Sequence, residues 1–355
     1  MRASPKEFFG KQGGGTAMSY RKFALMTLVA GAAMMSLVSG ANAETDQIRI
    51  AYVPGSCNLA HYVMEEKKLV EKHLKAVGLP EAKVTYQLFA GAGQLGDALL
   101  SGSLDFGALG ATQAFVLADR TSAMANPFKI AVPLCDQTFV LMSADPVIKT
   151  PDDLKPGSRI AMPTPKNSVY AQVLQIYAAK KFGWDKRGYY DDMGIPMGHP
   201  EAVASLKAKD PTVTAHFTGA PWNMIEQKNG AHQVLSSFDV TGPASLVAQT
   251  VSRKWKDANP KSYEAVVAAF TEATQMLAAD PKFAAEVIIR REKPAGISED
   301  ELIDYFKDKS QIVYGNVPHG TQVWRDSMFK SGILKTEPKS WQDVYWENNK
   351  GEGAN

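Results

Sequence analysis

Residues 139–170 read FVLMSADPVIKTPDDLKPGSRIAMPTPKNSVY, and this stretch decides the fold. Two short apolar runs, Phe139–Met142 and Arg159–Met162, have the length and composition of β-strands. The link between them carries Pro146, Pro151, Pro156 and Gly157, too many breakers for a long helix. After the second strand, Asn167 and Ser168 offer N-cap side chains ahead of an apolar-periodic helix, Val169–Phe182. A strand running into a capped helix leaves backbone N–H groups at the helix start, where an anion or a carbonyl can dock.

Upstream, the chain reads β-α-β-α-β-α. Gln47–Val53 alternates as a strand, Pro54–Asn58 is the loop after it, and Leu59–Val77 is an amphipathic helix. Val84–Phe89 is the next strand, and Ala90–Gln94 is a small-residue turn into a helix stopped near Gly102. Leu104–Ala108 is a third strand, followed by Leu109–Gln113 and a helix to about Leu117. Alternating strands and helices predict a parallel-type α/β sheet with its ligand beyond the strand C-terminal ends.

Ile130–Pro133 and Phe139–Met142 read as strands on either side of a first crossing at 134–138. Downstream come a polar, turn-rich region at Trp184–Pro200, a helix at Glu201–Lys207, a strand at Thr212–Phe217 and the loop Thr218–Asn223. Past a return crossing near Val240–Val251 the chain reads as mostly helical. Tyr263, Val266, Val267, Phe270 and Leu277 recur at core spacing, and Ser298 with Glu301 makes a capping box.

Two motifs carry a resemblance. One is the link Ile148-Lys149-Thr150-Pro151-Asp152-Asp153-Leu154-Lys155-Pro156-Gly157. The other is Ala98-Leu99-Leu100-Ser101-Gly102-Ser103-Leu104-Asp105-Phe106-Gly107. Their spacing resembles the solute-binding proteins of nitrate/sulfonate/bicarbonate (taurine-like, NMT1/THI5-like) ABC importers. The pattern fades at Ala204–Thr212, where the family's Gly and Asp-Ala pair are missing.

The resemblance implies a two-lobed, type II periplasmic-binding-protein fold of the α/β class, each lobe a mainly parallel sheet flanked by helices, with two hinge crossings. Lobe 1 is expected over 44–136 and 240–355, and lobe 2 over 137–239. It also implies a monomer without cofactor or metal that captures a small organic anion, a sulfonate such as taurine or else nitrate or bicarbonate. The partners implied are an inner-membrane ABC permease and its ATPase. A neutral or aromatic solute, such as a pyrimidine or an aromatic acid, is the alternative, followed by a pyrimidine-synthesis enzyme or a ligand-sensing module.

The N-terminus is consistent with export. Arg21 and Lys22 precede an uncharged stretch, Phe23–Gly40, and the small-x-small signal Ala41-Asn42-Ala43, so residues 1–43 read as a signal peptide cleaved after Ala43. The alternative is a retained anchor, because the stretch is long enough to span a membrane. Met18 is the expected translation start. Residues 1–43 hold five basic residues and one acid, and the chain totals +2, so the remainder carries −2. Such a balance offers no electrostatic footprint for nucleic acid or for an anionic membrane.

The candidate solute contacts lie on loops after strands: Ser56, Asn58, Gln94, Ala111 and Thr112 on the first lobe, and Asn167, Ser168, Tyr170, Trp222 and Asn223 on the second. Backbone N–H groups at Gln94, Thr112 and Ser168 are the expected anion donors. The plain alternative is that Ser56, Asn58, Gln94 and Thr112 serve only as helix starts, and that Trp222 packs against the hinge. His216 sits in a strand pattern and reads as a core histidine. Cys57 and Cys135 either pair in an oxidising compartment or are two small buried residues. Neither H-E-x-x-H, G-x-S-x-G nor G-x-x-x-x-G-K-[ST] occurs, so metalloprotease, serine hydrolase and P-loop chemistry lack the residues they need.

Overall fold

The computed structural model describes residues 44–89, 92–166 and 168–349. The export segment and Asn167 lie outside the described residues. The first half runs β1 (Gln47–Tyr52), α1 (Leu59–Lys67), α2 (Leu69–Ala76), β2 (Lys83–Leu88), α3 (Ala92–Ser101), β3 (Phe106–Gly110), α4 (Ala111–Thr121) and β4 (Phe128–Gln137). Next come β5 (Val140–Ser143), β6 (Ile160–Met162), α5 (Val169–Phe182), a 3-10 stretch (Trp184–Met193), β7 (Gly194–Pro196), α6 (His199–Ala208), β8 (Ala215–Thr218), α7 (Trp222–Lys228), β9 (His232–Ser236) and α8 (Ser237–Thr241). The chain then returns through β10 (Ser245–Ser252) to α9 (Arg253–Ala258), α10 (Pro260–Ala279), α11 (Pro281–Glu292), α12 (Glu299–Lys307), β11 (Ile312–Tyr314) and α13 (Thr321–Lys330).

The strands form two sheets, ordered β11-β4-β10-β3-β1-β2 and β7-β6-β8-β5-β9. We call the two sheets with their helices lobe 1 and lobe 2. Both sheets are mixed where a mainly parallel arrangement was expected. The βα units supply the parallel pairs (β1 with β2 and β3, β6 with β7 and β8), and the strands next to the crossings run antiparallel to their neighbours.

Alternation along the strands sorts the core. On β1, Ile48, Ile50 and Tyr52 face a layer built from α1, α2, α10, α11 and α12, while Ala51 faces the opposite layer with Leu95, Leu99, Leu109 and Phe115. On β5, Val140 and Met142 pack on Ala202 and Leu206 of α6, and Leu141 turns toward Val173 and Leu174 of α5. Each large side chain so buried contributes about 1.5–3 kcal/mol relative to exposure.

Several elements differ from the sequence expectation. The single helix at Leu59–Val77 is two, broken at Lys68 with φ 51°, so that Leu69, Val70 and Leu74 can turn into the core. The crossing expected at 134–138 is mostly strand. β4 continues through Leu134 and Cys135, both buried, because β10 and β11 pair along it. The third strand is shifted to Phe106–Gly110, and Trp222 and Asn223 open α7 instead of lying in a loop. The proline-rich link does hold its expected turns. Thr150 and Asp153 form a capping box there, with Lys149 and Thr150 N–H groups donating to Asp153 Oδ2 at 2.9 Å each.

Candidate functional site

The loop after β1 is held rigidly where the two sheets approach. A disulfide joins Cys57 to Cys135 of β4, with Cα atoms 5.5 Å apart. Gly55 N–H donates to Glu292 Oε1 at 2.7 Å, and Tyr314 Oη donates to the Ser56 carbonyl at 2.6 Å. Ser56, fully buried, accepts from Gln137 Nε2 at 2.8 Å and donates to the Ala220 carbonyl of lobe 2 at 3.2 Å. Gln137, at the crossing, also donates to Tyr305 Oη at 3.2 Å. Gly219 beside it has no room for a side chain: a Cβ would lie 2.8 Å from Phe139 Cδ1 and 2.9 Å from Gln137 Nε2.

A second contact between the lobes forms where β3 enters α4. A Cβ on Gly110 would sit 3.5 Å from Val169 Cγ2, in the first turn of α5. The starts of α4 and α5 therefore face each other closely. Ala111 and Thr112 are buried there, and Thr112 Oγ1 has no protein partner. Across from it, Ser168 Oγ caps α5 by accepting from Ala171 N–H at 3.3 Å. Ser168 therefore works as the N-cap the sequence indicates, and its hydroxyl is engaged.

Behind Tyr170 runs a line of polar side chains that the sequence left apart. Tyr170 Oη lies 3.3 Å from His199 Nε2, His199 Nδ1 lies 2.8 Å from His216 Nε2, and His216 Nδ1 lies 2.5 Å from Glu226 Oε1. Trp222 stacks on His199 with centroids 6.2 Å apart, and Tyr170 meets Phe139 edge-on at 4.9 Å. Both His216 and Glu226 are fully buried, and Glu226 Oε2 has no protein partner. Burial lowers both imidazoles and raises the Glu226 carboxyl, so the buried pair holds no net charge. Burial also pushes the Tyr170 phenol up.

The expected contacts thus divide. Ser56 bonds lobe 2 directly, Ala111, Thr112 and Ser168 lie at the facing starts of α4 and α5, and Tyr170 and Trp222 pack on His199 within lobe 2. Asn58 is buried beside Ser56, makes no side-chain cap, and has an unpartnered Oδ1; Asn223 Oδ1 is likewise unpartnered. Gln94 is exposed, at the third position of α3. His216 is a core histidine with both nitrogens hydrogen-bonded, as its strand pattern indicated. Gln137, His199, Tyr305 and Glu226 were missed. Glu226 carried one signal, an acid following Trp222 by one helical turn on a short amphipathic stretch.

The facing nitrogens of His199 and His216 engage each other. Among the described residues, no group of three or more His, Cys, Asp or Glu is placed to hold a metal ion. A surface hollow of about 580 Å³, lined by His73, Tyr263, Thr271, Glu272 and Asn348, lies against α10 of lobe 1. No helix among the described residues is long and apolar enough to cross a membrane.

Comparison with known proteins agrees with this architecture. The sequence pattern of the NMT1-like family matches residues 41–290. The chain belongs to the NMT1-like family. No curated protein sequence matches this NMT1-like chain significantly. Solved structures share its fold. The periplasmic nitrate-binding protein NrtA from Synechocystis superposes with a TM-score of 0.68 at 17% identity, over 86% of this chain and 87% of that one. The alkanesulfonate-binding protein SsuA from Xanthomonas axonopodis pv. citri, bound to MOPS, gives 0.62 at 18% identity over 86% and 99%. The periplasmic aliphatic sulphonate-binding protein SsuA from Escherichia coli gives 0.62 at 17% over 88% and 95%. The NMT1-like chain therefore has the periplasmic-binding-protein fold.

Proposed function

We propose that this protein is the periplasmic solute receptor of an ABC importer. In this reading it captures a small anion between its lobes and hands it to an inner-membrane permease driven by an ATPase. It acts as a monomer, needs no cofactor and catalyses no reaction. The observation that carries the reading is the seam itself, where two helix starts face each other beside a buried polar atom without a protein partner. Thr112 Oγ1, in the first turn of α4, is such an atom. Buried polar atoms in folded proteins nearly always have partners, so an unpartnered hydroxyl at a helix start facing the other lobe supports this reading. Helix starts add N–H donors for negative charge.

Among anions, a sulfonate of the taurine type ranks ahead of nitrate or bicarbonate, because Phe139, Tyr170 and Trp222 offer aromatic surface for a carbon-bearing solute. A taurine-like ammonium would also suit the acceptor oxygens of Asn58 and Asn223. The same acceptors favour a second reading, a neutral or aromatic solute such as a pyrimidine, which donates as well as accepts.

The test is a thermal-shift panel on protein refolded free of bound solute, with taurine, nitrate, bicarbonate, an aromatic carboxylate and a pyrimidine. A solute at about 100 times its Kd adds roughly 2.7 kcal/mol, which a melting curve resolves. A shift with taurine or nitrate supports the anion reading, and a shift with the pyrimidine alone replaces it. No shift with any member sinks the receptor reading for these classes.

A further inference from the structure

Glu226, His216, His199 and Tyr170 make one hydrogen-bonded line from the interior of lobe 2 to the first turn of α5. A neutral imidazole has one N–H and one acceptor nitrogen, so the direction chosen at one end of such a line sets every bond along it. At the inner end, His216 Nδ1 and Glu226 Oε1 share a proton. When Glu226 is the acid and donates from Oε1, His216 Nδ1 accepts and the imidazole hydrogen sits on Nε2. Reversing the line makes His216 Nδ1–H the donor and moves the acid hydrogen of Glu226 to Oε2, which is fully buried and has no protein acceptor. A buried O–H donor without an acceptor is costlier to keep than a carbonyl oxygen with a vacant lone pair.

The outward direction follows. His216 Nε2–H donates to His199 Nδ1, which also lies 3.3 Å from Thr218 Oγ1, a hydroxyl able to donate to it. His199 Nε2–H then donates to Tyr170 Oη. The phenolic hydrogen of Tyr170 cannot point back along the line, and His199 is its one hydrogen-bond partner among the described residues. Tyr170 is half-buried in the first turn of α5, next to Val169, which closes on Gly110 of lobe 1.

We propose that Glu226, acting through His216 and His199, holds the Tyr170 hydroxyl as a hydrogen-bond donor to the solute. Lobe 2 then recognises an acceptor-rich head group, such as a sulfonate, carboxylate or nitrate, through an O–H without a lysine or arginine. The assignment rests on the seam being the solute site. Tyr170 is the contact residue, and His199, His216 and Glu226 are positioning residues.

The experiment uses the full mature chain with 15N-labelled histidine and long-range 1H–15N correlation. The expected result is His199 protonated at Nε2 with Nδ1 as an acceptor. Glu226→Gln, whose amide either donates or accepts, should mix the two His199 tautomers. His199 protonated at Nδ1 in the unsubstituted protein overturns the relay. Calorimetry with taurine and with nitrate supplies the second arm. Tyr170→Phe should weaken binding at least tenfold in a chain that still melts cooperatively, and undiminished affinity overturns the role of Tyr170. If the unsubstituted protein binds neither probe, the oxyanion reading falls with the proposed target of Tyr170, while the tautomers still judge the direction of the line.

Discussion

Lys228 at the end of α7 on lobe 2 reaches across to Glu301 in the first turn of α12 on lobe 1. Its ammonium lies 2.7 Å from Glu301 Oε2 and 2.6 Å from the Gly296 carbonyl. The contact lies at the outer edge of the seam, and Lys228 and Glu301 are both partly exposed. It is therefore a latch that water and salt weaken, not a pillar of stability.

Closure should follow the ionisation of Glu301. The Lys228 ammonium first, then the Ser298 N–H and hydroxyl, hold its carboxyl at about 2, below the ordinary 4.5. A depressed carboxylate contributes fully above its unfolded value and loses that contribution as pH falls through the folded one. Small-angle scattering should show the chain opening progressively from pH 4.5 toward 2. Lys228→Met should already be more open at pH 7 and flatter across that window. Lys228 is the better residue to change, because Glu301 also completes the capping box with Ser298. Identical scattering profiles for the two proteins would dismiss the latch.

Ser56→Ala tests the inner contact. Removing the hydroxyl leaves the buried Ala220 carbonyl without that donor and Gln137 with Tyr305 as its remaining partner. An orphaned buried polar group costs about 1–3 kcal/mol. Urea unfolding of the variant should show a loss of that size with an unchanged m-value. A loss below about 0.5 kcal/mol would mean that the seam relaxes around the missing hydroxyl.

The disulfide should matter more. It closes a chain segment with a sequence separation of 78, for which loop entropy gives roughly 4.5 kcal/mol. Cys57→Ala with Cys135→Ala should unfold at clearly lower urea than the oxidised parent, and reductant should bring the parent down to the same midpoint. A parent indifferent to reductant would argue against the bond.

What the sequence disclosed and what it withheld have physical reasons. The βα units were legible because alternation and caps are local: Ser168 caps α5 and Ser298 caps α12 as their neighbours indicated. The continuation of β4 through Asp136 and Gln137 was not legible, since polar residues after Pro133 look like a loop until β10 and β11 pair with them. The break at Lys68 was hidden for a similar reason, because both half-helices carry good helical residues and only the core decides their angle. His199, His216 and Glu226 are separated in turn by 17 and 10 residues, and only the fold makes them one buried line. The seam residues of lobe 1 were read from loop positions after strands. Their partners Tyr305 and Tyr314 come from a distant helix and strand that no local pattern links to them.

His61 offers a separate check on how the core responds to acid. Its ring stacks on Tyr52 at 4.6 Å, meets Phe270 edge-on at 5.1 Å, and contacts the Asn58 carbonyl and Gln249 Oε1 at 3.1 and 3.0 Å. Burial outweighs both hydrogen bonds and lowers the imidazole from 6.5 to about 4. Between those values the unfolded chain binds a proton that the folded chain refuses, so stability is present above pH 6.5 and declines as pH falls toward 4. At 1.36 kcal/mol per unit, the full decline from this group is about 3 kcal/mol. His61→Gln cannot take up that proton. It should be less stable than the parent at pH 7.5, where packing against Tyr52 is lost, and the difference should narrow as both are taken to pH 4.5. Urea midpoints at intervals of half a pH unit measure the two slopes. Parallel curves would mean that His61 is already charged in the fold, contrary to its burial between two aromatic rings.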